Sequence, residues 1–80
     1  MKYKIQRQTI REIRMSRFLT TEQLAELAGV SAPSVMRFER GENGGDAITR
    51  LPTLQKLAKA LGVPPGTIGY LDYEEEEIAV

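Results

Sequence analysis

The segment Thr20 to Gly41, TTEQLAELAGVSAPSVMRFERG, leaves this chain few folding options. It reads as two short helices joined by a glycine turn. Thr20 is a strong N-cap, and Gln23 three residues on completes a capping-box pattern. Leu24, Leu27 and Ala28 form the expected buried stripe of the first helix, with Ala25 small enough for a close helix crossing. Gly29 can take the positive φ that ends such a helix. Ser31 then caps a second helix, Ala32 to Arg40, whose first turn tolerates Pro33 because the N–H groups there are free of intrahelical partners. Advancing by about 100° per residue separates two faces of that helix. Met36, Arg37 and Arg40 fall on the side of Pro33, and Val35 and Phe38 fall opposite. One side is apolar and suited to a core. The other is basic and free.

The flanking pattern is helical too. A helix over Gln8–Arg17, starting as early as Ile5, would set Ile10 and Ile13 beside a strip of Arg7, Arg11, Arg14 and Arg17. Gly41 to Thr49 reads as a loop. Leu51 to Leu61 repeats apolar residues at helical spacing (Leu51, Leu54, Leu57, Ala58, Leu61), with Pro52 in the first turn and Gly62 as the stop. After Pro64-Pro65-Gly66 a short fifth helix, about Pro65 to Leu71, adds Ile68 and Leu71. No stretch of the body has the alternation of a strand. The expectation is an all-α, compact bundle of short helices over residues 1–71, followed by an acidic tail over residues 72–80.

Composition removes several classes of chemistry. The 80 residues contain no cysteine and no histidine. Disulfide frameworks, Cys/His zinc sites and thiol or imidazole catalysis are therefore excluded, and no cofactor is expected. No apolar run approaches the roughly 18 residues of a membrane span, and the start, MKYKIQR, is too polar for a secretory signal. A cytoplasmic location fits. Gly41-Glu42-Asn43-Gly44-Gly45-Asp46 has neither the Gly-Lys-Ser/Thr ending of a phosphate loop nor the acidic spacing of a calcium loop. No catalytic constellation is visible, so the chain does not read as an enzyme.

Net charge is zero, but its distribution is uneven. Residues 1–40 carry eight Lys/Arg against four Asp/Glu, or +4, and residues 41–80 carry three against seven, or −4. A basic body with an acidic end suits a nucleic-acid-facing region followed by a solvated or interacting tail. Two helices of this size, linked by a turn of about three or four residues containing glycine, form the unit that lays its second helix in the DNA major groove.

From about Ile10 to Leu71 the sequence resembles the Cro/cI (Xre-type) helix-turn-helix family of phage repressors and bacterial regulators. LTTEQLAELAGVS, PSVMRFERG and LPTLQKLAKALGV match its recurrent blocks in order. The resemblance implies a lambda-repressor-like bundle of five helices, a homodimer on palindromic double-stranded DNA, and a third helix that enters the major groove. Carried over by position, Ala32, Pro33, Met36 and Arg37 are the base-facing set. Arg37 would either hold guanine O6 and N7 with two parallel bonds or contact a phosphate. Thr20, Thr21 and Arg40 match positions that touch the DNA backbone, with Ser34 at the edge and Asn43 on the connection that follows. Thr21 departs from the family, where Gln is common. Arg14 and Glu39 match an internal salt bridge. The loop after Gly41 is two or three residues longer than the family's usual connection.

These features favour a sequence-specific DNA-binding transcription regulator, most simply a repressor occluding a promoter. Two alternatives stay open. One is an antitoxin that autoregulates its operon and holds a toxin through the acidic tail, with Tyr73–Val80 as a dimer strand or arm. The other is a protein-interaction module that lost DNA binding. Ile68, Tyr70 and Leu71 could serve either a dimer patch or the monomer core.

Overall fold

The computed structural model describes residues 2–72. Its elements run β1 (Tyr3–Ile5), α1 (Arg7–Ser16), α2 (Thr21–Ala28), α3 (Ala32–Arg40), β2 (Ala47–Thr49), α4 (Leu51–Leu61), α5 (Pro65–Ile68) and β3 (Gly69–Leu71). Five helices thus follow the expected order, but the fold is not purely all-α. The three strands form an antiparallel sheet in the order β2-β1-β3, where none was expected. Lys4 sits between Ile48 and Tyr70 in register, and Ile5 between Ala47 and Gly69. The sheet corrects two boundaries: the Gly41–Thr49 loop ends in a strand, and the fifth helix stops at Ile68. The N-terminal helix begins at Arg7, one residue before Gln8 and within the expected range that reached back to Ile5.

One core joins the helices to the inner face of the sheet. Ile10 of α1, Leu24 of α2, Val35 and Phe38 of α3, Leu54, Leu57 and Leu61 of α4, Ile68 of α5, and Ile5 and Ala47 of the strands are all buried together. Ile68 therefore belongs to the core and not to a dimer patch. Leu27 also departs from expectation, being 62% exposed while Ala25 is buried. The face of α2 is centred between Leu24, Ala25 and Ala28, and Leu27 lies about 100° away from that centre. Two alanines let α2 approach its neighbours closely, and the larger leucine is left outside.

The helix ends follow their sequence signals. Thr20 Oγ1 accepts the Gln23 N–H at 3.1 Å, and Gln23 Oε1 accepts the Thr20 N–H at 2.8 Å. Gly29 takes φ +72°, while the N–H of Val30 returns to the Ala25 carbonyl at 3.0 Å. At the end of α1 the same two-bond cap forms around Phe18, whose φ is +56°. Leu19 N–H donates to the Arg14 carbonyl and Phe18 N–H to the Met15 carbonyl. The start of α1 lacks a local side-chain cap. Asp46, distant in sequence, accepts the Arg7 N–H at 3.1 Å instead.

Asp72, first residue of the expected tail, is buried, and its N–H donates to the Lys2 carbonyl at 3.0 Å. The Glu74–Glu77 run and the proposed arm Tyr73–Val80 lie outside the described residues. No helix among the described residues is long and apolar enough to cross a membrane.

Candidate nucleic-acid interface

The outward side of α3 is built from its back. Val35 and Phe38 are buried, which fixes the rotation of the helix and turns Pro33, Met36, Arg37 and Arg40 outward. These four, closed off by Gly41, line one shallow surface depression. Ser31 Oγ caps the helix by accepting the Ser34 N–H at 3.2 Å, and the two hydroxyls lie 2.7 Å apart. Ser34 is thus half-buried beside the cap, and Ala32 is half-buried against the core with only an edge exposed. Arg40 is exposed, and no acid among the described residues pairs with it.

Arg14 and Glu39 lock this helix to α1. Arg14 Nε and Nη2 donate to the two Glu39 oxygens at 2.6 and 2.9 Å, and Nη1 donates to the Leu19 carbonyl at 2.6 Å. The pair is largely withdrawn from water, at 13% and 9% side-chain exposure. The hydrogen bond to Glu39 raises the Arg14 pKa above its ordinary value, against the opposing effect of burial. Through Leu19 the same guanidinium ties down the entrance to α2, so both helices of the pair are referenced to one charge.

At the start of α2, Thr20 spends its hydroxyl on the cap, and the Thr21 hydroxyl donates to Glu22 at 3.1 Å. Glu22 accepts from the first-turn backbone and from Thr21, and its pKa is held below the ordinary carboxylate value. Thr20 is exposed and Thr21 half-buried. Asn43 stands at the tip of a two-residue hairpin. Glu42 and Gly45 exchange backbone hydrogen bonds of 2.8 Å each, while Asn43 and Gly44 take φ values of +51° and +78°. Positive φ at both central residues is the geometry an Asn-Gly pair favours. Gly41 is needed at the base of this hairpin. It sits at φ +85°, and a Cβ there would run into the Gly45 carbonyl and the Arg7 side chain.

Arg37 is the residue whose surroundings the sequence did not disclose. Its guanidinium lies 4.6 Å from the centre of the Phe38 ring. Nη1 donates to Glu42 and, at 3.3 Å, to the Ile48 carbonyl. The side chain stays 43% exposed. Lys2 and Arg50, neither singled out from the sequence, line with Ser34, Arg37 and Thr53 a second groove between α3 and the start of α4. Their link to α3 depends on the sheet, so no helical pattern could have revealed it. The basic strip of α1 is also less open than its spacing suggested, because Arg14 pairs with Glu39 and Arg7 lies 4.0 Å from Asp46.

Three comparisons bear on this geometry. The model of the Helix-turn-helix family matches residues 10–68. Among curated proteins, the HTH-type transcriptional repressor RghR of Bacillus subtilis (strain 168) is 42% identical over 55 residues, which cover 69% of this chain and 38% of that protein. The uncharacterized HTH-type transcriptional regulator RghRB of the same organism is 39% identical over 57 residues, covering 71% and 39%. The chain therefore spans about two fifths of the length of these curated relatives. Among solved structures, the restriction-modification controller protein C.AhdI from Aeromonas hydrophila is similar, with a TM-score of 0.67 and 34% identity over 76% of this chain and 86% of that one.

Proposed function

This chain belongs to the Cro/cI-type helix-turn-helix family, and from that premise we propose that it is a sequence-specific DNA-binding transcription regulator, most simply a repressor that occludes a promoter. The observation that carries the proposal is the outward face of α3, where Pro33, Met36, Arg37 and Arg40 line one depression, with Val35 and Phe38 anchoring the helix behind it. A rigid rod with a cationic outer flank suits the major groove, which is wide enough to admit an α-helix.

The roles divide by chemistry. Arg37 reads a base, and Pro33, Met36 and the edge of Ala32 offer apolar contact to a thymine methyl. Thr20, Thr21, Ser34, Arg40 and Asn43 meet phosphates and set the register without carrying sequence information. Arg14 and Glu39 hold the helices at the required angle. We add Arg50 to the phosphate set, from its place in the groove beside α3.

The regulator works in the cytoplasm as a homodimer, with two α3 helices on half-sites about 34–36 Å apart. Tyr70 and Ile48, each exposed on the sheet, offer apolar surface for that contact. A relative described as a transcriptional repressor supports the repressor reading. The test is selection of bound sequences from a random duplex pool. A recurring palindrome supports the proposal, and recovery of unenriched sequences refutes it.

A further inference from the structure

We propose that Glu42 is the positioning residue for Arg37: it anchors one nitrogen of the guanidinium so that the remaining edge is presented to a guanine instead of swinging to a phosphate. The inference rests on the reading of α3 as the base-reading helix. It starts from how Arg37 spends its donors. Nη1 is used twice, on Glu42 and on the Ile48 carbonyl, and the Phe38 ring lies against the guanidinium plane. Nε and Nη2 make no hydrogen bond among the described residues.

Arg14 shows what that free pair can do. There Nη1 goes to a backbone carbonyl, while Nε and Nη2 together grip two oxygens of one carboxylate. At Arg37 the backbone carbonyl is likewise in place, and the fork of Nε and Nη2 is empty. Guanine offers O6 and N7 side by side, two acceptors matched to such a fork. A phosphate asks only for charge, which any rotamer of a loose arginine supplies.

Glu42 is itself held firmly. The exchange of backbone bonds with Gly45 fixes its backbone, and the close approach at Gly41 fixes where the hairpin leaves α3. Its carboxylate also opposes the attraction of Arg37 for phosphate. Removing the charge should therefore strengthen binding to any duplex, and removing the acceptor with it should also weaken the choice of base.

The experiment compares the whole chain with the Glu42→Gln and Glu42→Ala variants, using the duplex recovered by selection. First, Arg37→Ala identifies the G·C pair whose replacement by A·T no longer matters in that variant. Native protein should prefer G·C at this pair by about ten- to a hundredfold. Both Glu42 variants should fold normally by circular dichroism and bind a random duplex at least as tightly as native protein. Glu42→Ala, which lacks the acceptor, should show a preference reduced to within about threefold, while Glu42→Gln, whose amide oxygen can still accept from Nη1, should keep more of it. Retention of the native preference in Glu42→Ala, or an equal loss of preference in the Gln and Ala variants, overturns the inference, even if overall affinity rises, because the acceptor at position 42 would then not be what positions Arg37. A uniform loss in Arg37→Ala, with no base pair singled out, overturns both the Glu42 inference and the base-reading role of Arg37 while leaving DNA binding intact. Failure of native protein to bind any duplex would strike the functional proposal itself.

Discussion

A buried guanidinium is tolerable only when its donors are used, and Arg14 commits all three nitrogens, two to Glu39 and one to Leu19. Replacing Glu39 with Gln removes the charge and half of the fork but leaves the cation in place. The expected cost is about 3 kcal/mol, as for other pairs broken on one side away from water, measured by urea unfolding. DNA affinity measured below the unfolding transition should change far less than stability. Phe18 presents the opposite case, a residue whose removal should help. It occupies the left-handed position that Gly29 fills in the next turn, and its side chain is 93% exposed. A left-handed L-residue costs roughly 1–2 kcal/mol, part of which glycine would give back as unfolded-chain entropy. Phe18→Gly should therefore raise stability by roughly 0.5–1 kcal/mol, seen as a higher melting temperature. A drop would mean that Phe18 makes a contact in solution that its exposure does not suggest.

At the scale of elements, each helix of the central pair depends on its first turn. Thr20→Ala loses the half of the reciprocal cap in which the threonine hydroxyl accepts the Gln23 N–H, while the backbone N–H of residue 20 can still donate to Gln23. It should cost about 1 kcal/mol, checked by thermal melting. The start and stop of this helix were legible in the sequence because they rest on local chemistry, Thr20 with Gln23 and then Gly29. The rotation of α2 was legible only in part. Leu27 lies outside because close packing through Ala25 and Ala28 outweighs the burial of one leucine, and that balance depends on neighbours from α3 and α4. The strands escaped notice for a simpler reason. Three residues are too few to establish alternation, and Tyr3-Lys4-Ile5 reads equally well as the approach to a helix. Asn43-Gly44 was the one local sign of a hairpin beyond α3. The outward set on α3 was legible from angular spacing alone. The partner of Arg37 was not, because Glu42 follows the helix and only the turn at Gly41 brings it back.

At the scale of the whole molecule, Asp46 ties together parts that are far apart in sequence. It caps α1 through Arg7 and accepts the Tyr70 hydroxyl at 2.8 Å. Burial, and then the hydrogen bond to Asp46, push the Tyr70 phenol above its ordinary pKa. Folded protein therefore holds that proton more tightly than the unfolded chain, which releases it near about pH 10. The stabilisation is complete below that pH and is lost as pH rises through the higher folded value. Melting curves from neutral to alkaline pH should show a steeper fall for native protein than for Tyr70→Phe. The uneven charge acts at the same scale. Arg40, with the cations beside the start of α4, faces outward from α3, so affinity for DNA should fall steeply with added salt, by roughly 0.9 log units per phosphate contact for each tenfold rise. The central claim is that the free side of α3 reads base sequence, and its most direct test is an affinity comparison at physiological salt. Native protein should bind the selected duplex at least about a thousandfold more tightly than a scrambled duplex of the same composition, and Arg37→Ala should lose much of that ratio. Equal affinity for the two duplexes would contradict the account.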